Sequence, residues 1–401
     1  MSAVVDVVVV GGGPVGLAAA IAARAHGLSV RLVDRQRPPI DKACGEGLMP
    51  AGVQALAALG VRMPERSMPF RGIRYLSDGV VAEADFPGAL SGGAGRGIRR
   101  TELHAAMVER AAEVGVELVW GSRVESARAG QVRTATASWP CRFVVGADGL
   151  RSGLRRAAGL EVAKEGTGAA AWDPRARFGV TRHLRLAPAL EMERERVEVV
   201  FGAAAEAYLT PLAPDEIGVA ILWSGGKGGF DELLTTRFPP GLAERLAGGT
   251  ALGRDHGAGP FRQRTRGAVA GGGRIALVGD AAGYVDALTG EGLSLGFESA
   301  LLLGEALAAD DLTHYARRLP RLVALPSGLT RLLLAIARRP WLRRRLVAAL
   351  AADPVLFGNF LGLLGARRPL RELLVGRALR LCGRLARPLP AGLAPGRATP
   401  A

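Results

Sequence analysis

Residues 6–20 read Asp6-Val7-Val8-Val9-Val10-Gly11-Gly12-Gly13-Pro14-Val15-Gly16-Leu17-Ala18-Ala19-Ala20, a buried-strand pattern, a glycine turn and a helix start in immediate succession. Each position of the Gly-x-Gly-x-x-Gly spacing has a physical purpose. Gly11 permits the tight turn, Gly13 removes the side chain that would block a pyrophosphate, and Gly16 lets helix and strand pack closely. The helix start, at Pro14 and Val15, offers unpaired backbone N–H groups and partial positive charge to phosphate oxygens. After a helical stretch to Gly27 and the apolar run Ser29–Val33 comes Asp34, placed to accept hydrogen bonds from a ribose hydroxyl pair, with Arg35 beside it. This predicts an α/β, Rossmann-like entrance for the ADP half of a dinucleotide. It leaves open whether the other half is a nicotinamide, as in an ordinary NAD dehydrogenase, or a flavin.

Composition agrees with a packed α/β protein. The chain has 401 residues, 49% hydrophobic and 5% aromatic, long enough for two domains. Cys44, Cys141 and Cys382 form no paired or metal-ligand spacing, and His26, His104, His183, His256 and His314 form no i,i+4 pair. No metal is therefore expected, and a reduced cytoplasm is the expected location. The apolar run Val4–Val10 is too short for a signal or a spanning helix and is expected to be a strand.

The net charge of +15 raises nucleic acid as a partner, and its distribution argues against that. From Tyr315 to Ala401 there are 17 Arg, no Lys and two acids, Asp353 and Glu372, while the rest of the chain balances at 35 basic and 35 acidic residues. The excess therefore lies in a leucine-rich tail, which Pro340, Pro354 and Pro369 are expected to divide into short helices. No stretch of about 18 uncharged apolar residues occurs there, so no bilayer span is expected. Basic amphipathic helices can lie on the inner, anionic face of a membrane; simple packing of the tail on the enzyme is the alternative.

Two later motifs decide the cofactor. Arg142-Phe143-Val144-Val145-Gly146-Ala147-Asp148-Gly149-Leu150-Arg151-Ser152 is a short apolar strand ending in Asp-Gly. Arg274-Ile275-Ala276-Leu277-Val278-Gly279-Asp280-Ala281-Ala282-Gly283 is another, followed by Leu288-Thr289-Gly290-Glu291-Gly292-Leu293 and a helical run. With the glycine turn these motifs, in this order, make the chain resemble the FAD-dependent family of p-hydroxybenzoate-hydroxylase-type monooxygenases and geranylgeranyl-reductase-type enzymes. The resemblance covers roughly residues 1–310 and implies FAD as cofactor. It places Asp280 at the ribityl chain or the neighbouring phosphate. Gly290, Gly292 and Leu293 fall at the flavin pyrimidine, where a helix N-terminus stabilises negative charge. Arg100 falls near the pyrophosphate, and Asp148 and Gly149 near a groove that a transient NAD(P)H donor shares, since no second glycine fingerprint is present.

For chemistry the resemblance offers two readings. The first is an NAD(P)H-dependent monooxygenase that uses molecular oxygen on an aromatic, polyketide-like or other lipophilic molecule. The second is a reductase that saturates isoprenoid double bonds, towards which Asp41-Lys42-Ala43-Cys44-Gly45-Glu46-Gly47-Leu48 leans. The monooxygenase is the preferred expectation, although the histidine usual after the Gly-Asp motif of hydroxylases is replaced by Gly283. The reductases' Tyr-x-Trp-x-Phe-Pro element survives only as Tyr208-Leu209-Thr210-Pro211. A non-redox prenyl or lipid carrier of the same ancestry is the reading from another class. Cys44, in a loop the family places near the isoalloxazine, and Glu291, near the pyrimidine edge, are the candidate catalytic residues.

Between the motifs, Arg196–Phe201, Glu206–Thr210 and Ile217–Trp223 carry the alternation and β-branched content of an antiparallel sheet. The expected architecture is interleaved: a discontinuous FAD-binding domain over 1–75, 96–170 and 270–312, a substrate-binding α+β sheet domain over 76–95 and 171–269, and a basic helical C-terminal region over 313–401.

Overall fold

Four consecutive valines cannot alternate between core and solvent, and β1 (Val5–Val10) is accordingly buried on both faces, with Val7, Val8 and Val9 at 0% exposure. The computed structural model describes residues 4–162, 176–187, 193–226, 228–261 and 263–365. After β1 the chain turns through the glycines into α1 (Pro14–Ala25) and β2 (Val30–Asp34). It leaves for a second sheet at β3 (Gly72–Ser77) and β4 (Val80–Asp85), then returns through α2 (Arg100–Glu113), β5 (Glu117–Trp120) and β6 (Ser138–Gly146). A second excursion forms β7 (Arg177–Arg185), β8 (Arg196–Phe201), β9 (Ala205–Ala213) and β10 (Glu216–Ser224) before the return at β11 (Ile275–Leu277). Four helices close the described chain: α3 (Gly292–Ala308), α4 (Leu312–Ala337), α5 (Pro340–Ala351) and α6 (Pro354–Gly365).

The first sheet runs β11, β6, β1, β2, β5, all parallel, with Val8 opposite both Val144 and Arg31. Alanine-rich α1 is buried along most of its length between this sheet, α2 and α3. Small residues permit the close approach: a Cβ at Gly304 of α3 would meet Ala22 at 2.9 Å. The second sheet runs β7, β10, β9, β8, β3, β4 and is antiparallel except for the β8–β3 pair. Its outer face, Val180, Leu184, Ala207, Leu209, Val219 and Ile221, packs on the helices Phe230–Arg237 and Pro240–Leu246. Period-two alternation sends Thr181, His183, Tyr208 and Thr210 to the inner face, where they meet loops of the first domain.

The C-terminal helices differ from expectation in one respect. Pro340 and Pro354 each open a helix, as their missing N–H and fixed φ favour. Pro320 and Pro326, however, lie inside α4 without ending it. Packing against α3 and an anchored N-terminal half hold this 26-residue helix together: Tyr315 is fully buried and its hydroxyl donates to Leu277 O at 2.8 Å. By length and composition α4 can cross a bilayer, because its apolar run includes arginines that the stricter, uncharged criterion rejected. Leu312, Tyr315 and Leu319, at its N-terminal end, are embedded in the first domain's core. Pro369, Cys382 and the tail beyond residue 365 lie outside the described residues.

Candidate active site

The glycine turn is held from three directions. A Cβ at Gly11 would meet Ala147 O at 2.4 Å and Asp148 N at 2.8 Å, and one at Gly16 would meet Gly11 O at 1.9 Å, so strand, helix and Asp-Gly loop close on one another only without side chains. Gly12 is pinned by its N–H to Asp34 Oδ2 (2.7 Å), by the buried His104 ring, whose Nε2 donates to Gly12 O (2.8 Å), and by the Trp120 ring. Gly13 is different. Its backbone is ordinary (φ −70°, ψ 173°), and a Cβ there would meet nothing nearer than the Arg100 guanidinium at 3.8 Å. Gly13 is therefore bare for something other than the fold, and Arg100 Nε beside it is buried with no hydrogen-bond partner among the described residues. An orphaned cationic donor facing a bare helix N-terminus fits a diphosphate.

The other two motifs converge on the same turn. Arg155, fully buried just after the Asp-Gly loop, donates to Leu150 O (2.9 Å) and to Ala281 O (3.1 Å), tying that loop to the Gly-Asp turn. Gly279 (φ +61°) and Gly296 both abut Val15 of α1. Asp148 turns one oxygen to the backbone N–H groups of Gly153 (2.7 Å) and Leu154 (3.1 Å), while its Oδ1 is buried without a partner among the described residues; Gly149 beside it has φ +78°. Asp280 lies on the turn after β11, its carboxyl pushed above the ordinary range by burial while Arg100, Lys42 and Arg155 pull the other way. Gly290 (φ +67°) turns the chain into α3, with buried Glu291 at its N-cap and Gly292 and Leu293 in its first turn. Arg35 is exposed after β2, and Asp34 Oδ1 also accepts from Gln36 N (2.7 Å).

The loop 41–48 bridges the two sheets. Cys44 Sγ accepts from Glu46 N (3.4 Å), and burial pushes its thiol up, opposed by Arg100. The carbonyls of Cys44 and Gly45 accept from Thr181 (3.2 Å) and Thr210 (2.8 Å) of the second sheet. Glu46 was not singled out from the sequence, yet it sits at φ +56° with its carboxylate buried, one oxygen on Arg100 N and the other on His183 Nε2, both at 2.7 Å. Lys42 stands at the lip near Asp34, Arg100 and Asp280, its ammonium pulled down by desolvation and by Arg100. Glu46 and Lys42 flank Cys44 in a conspicuous loop, a signal that could have found them. The partner His183, 137 positions away, leaves no local trace.

On the inner face Arg177 binds Glu206 (2.7 Å) and Asp286 (2.9 Å), all three buried. Burial raises both carboxyls; it also works against the Arg177 charge, but the two carboxylates outweigh it and keep the guanidinium charged. Asp286 also accepts from Leu288 N (3.0 Å), and Tyr208 donates to Leu288 O (2.7 Å), so the turn before α3 is fixed to the sheet. Beside it opens a small, mostly apolar cleft of about 30 Å³ between Tyr75, Val199, Phe201 and Tyr208 of the sheet, Leu288, and Leu333, Ile336, Arg343 and Leu346 of α4 and α5.

A nucleotide turn, two further glycine-and-acid turns folded onto it, and an inner sheet face over both define a flavin-dependent oxidoreductase. Residues 4–184 match the family described as FAD binding domain. The chain is 31% identical over 349 residues to the menaquinone reductase of Mycobacterium tuberculosis, covering 80% of this chain and 79% of that one. It is 28% identical over 330 residues to digeranylgeranylglycerophospholipid reductase 1 of Methanopyrus kandleri, covering 76% and 82%. Among solved structures, a flavoprotein/dehydrogenase of Cytophaga hutchinsonii has the same fold, with TM-score 0.76 at 17% identity over 94% of this chain and 96% of that one. The chain belongs to the FAD-dependent oxidoreductase superfamily of p-hydroxybenzoate-hydroxylase-like and geranylgeranyl-reductase-like enzymes, and the carrier reading is set aside.

Proposed function

We propose that this oxidoreductase reduces a carbon–carbon double bond in a long isoprenoid lipid, with a menaquinone-type molecule as the first candidate. The two curated relatives described above are named as reductases, of menaquinone and of a digeranylgeranyl lipid. Those two substrates share a polyprenyl chain and little else, so its double bond is the common reactive group. The similarity to these two reductases carries the reading; the structure adds only a small, mostly apolar cleft of about 30 Å³ beside Leu288. Two of the polar side chains beside this cleft are tied to the protein. Tyr208 donates to Leu288 O, and Arg343 donates to Ser77 Oγ (3.2 Å) and Gly202 O (2.8 Å).

The α1 N-terminus with Gly11, Gly13, Pro14, Val15 and Gly16 holds the FAD diphosphate together with Arg100. Asp34 and Arg35 take the adenosine ribose side, Asp280 borders the ribityl chain or the neighbouring phosphate, Asp148 and Gly149 lie near the groove that a transient NAD(P)H donor shares, and Gly290, Gly292 and Leu293 meet the pyrimidine. When bound and reduced by a transient NAD(P)H donor, FAD would supply a hydride to one carbon of the double bond, the proton on the other carbon coming from solvent. Cys44, kept protonated by burial, acts as a neutral group against flavin or substrate rather than as a thiolate nucleophile. Glu291 lies where a proton can be held at the pyrimidine edge. The test is product mass after anaerobic incubation of FAD-loaded enzyme with NADH or NADPH and a fully unsaturated menaquinone. A gain of two hydrogens is expected, whereas a product that gains one oxygen only when air is admitted makes the enzyme a monooxygenase.

A further inference from the structure

From Leu312 to Ala352 there is no acidic residue, and nine arginines are present. The first half of α4 is anchored in the core, and the second half keeps Pro326 and Thr330 buried while turning one face outward: Leu332 is 55% exposed, and Arg331, and Arg338 and Arg339 just past the helix end, are exposed. Just across the turn, at the start of α5, Trp341 is 58% exposed with the Arg345 guanidinium 5.5 Å from its ring. Large apolar side chains ringed by cations at one corner are the composition of an interfacial helix and not of a solvated one. On the same two helices the neighbouring residues Leu333, Ile336 and Leu346 face inward and line the apolar cleft.

We infer that the α4–α5 corner is a docking surface for an anionic lipid bilayer. Trp341 and Leu332 enter the headgroup–acyl boundary, and the arginines meet lipid phosphates. Docked in this way, the protein holds against the bilayer the two helices that wall its cleft. The docking surface stands independently of the proposed chemistry.

The experiment is co-sedimentation of the full-length, FAD-loaded protein with vesicles of phosphatidylcholine alone or of equal parts phosphatidylcholine and phosphatidylglycerol. Binding is expected to the anionic vesicles and to weaken with added salt. The Leu332→Ser/Trp341→Ser variant should lose at least about ten-fold of that binding while keeping its FAD content and its turnover of a short-chain, detergent-dispersed isoprenoid. Lipids brominated near the headgroup should quench a component of the tryptophan emission that Trp341→Phe lacks. Equal binding of the double variant and the parent overturns the assignment of this corner, and so does absence of binding to the anionic vesicles. A self-associated species in solution that Trp341→Ser dissolves would show that a second copy covers the corner and also overturns it. If docking holds but no isoprenoid is reduced in any format, the proposed chemistry fails and the docking surface remains.

Discussion

Gly13 and Gly16 look alike in the sequence and do different work. A methyl at Gly16 would lie 1.9 Å from Gly11 O, so Gly16→Ala is expected to destabilise even the apoprotein, by about 1–3 kcal/mol or more. Gly13 has room and an ordinary backbone, so Gly13→Val should leave apoprotein unfolding unchanged and weaken FAD retention about ten-fold or more. Denaturation curves and flavin titrations on the two variants check the pair; reversed roles would refute the assignment of the turn. Asp280 gives a pH signature. Its carboxyl is raised in the folded protein, so its contribution to stability is fully present below its unfolded value of about 3.9 and is lost as pH rises through the folded pKa. Apoprotein carrying Asp280→Asn should therefore be more stable than the parent at pH 7, with the gap closing towards pH 4. Asp280→Ala should also retain less FAD. A gap that widens on acidification would contradict the environment described. The glycines and acids were readable because their spacing is local. Glu46 with His183, and Arg177 with Glu206 and Asp286, were not, because each pairing joins different excursions of the chain.

The turn before α3 depends on neighbouring elements. Asp286 holds Arg177 of β7 and Leu288 N at once, and Tyr208 of β9 holds Leu288 O. Asp286→Ala strands Arg177 against Glu206 alone in a buried site and is expected to cost about 3 kcal/mol in urea unfolding, with weaker FAD retention as the turn loosens. A loss below about 1 kcal/mol would mean that the network is relaxed by water and does not set the turn. Among elements, β1, α1 and β2 were readable from an unbroken valine run and a glycine turn. The length of α4 was not, because internal Pro320 and Pro326 argue locally for a break and only packing against α3 overrides them. The parallel β3–β8 seam was equally hidden, since it joins strands more than a hundred residues apart.

Across the molecule, the interleaving places the polar inner face of one sheet over the nucleotide turn of the other, and the C-terminal helices complete an apolar cleft at the seam. Order of motifs along the chain revealed the flavin fold; the cleft became visible only when helices from the basic tail were seen packed on β3 and β8. The proposed double-bond reduction and the rival hydroxylation differ in their need for oxygen. The two outcomes separate in a single anaerobic turnover, in which the FAD-loaded enzyme is reduced under argon, mixed with an unsaturated polyprenyl lipid and followed by its visible flavin absorbance. Return of the oxidised flavin spectrum on addition of the lipid, with no oxygen present, is the predicted result. A spectrum that stays bleached with the lipid and returns only when oxygen is admitted would contradict it.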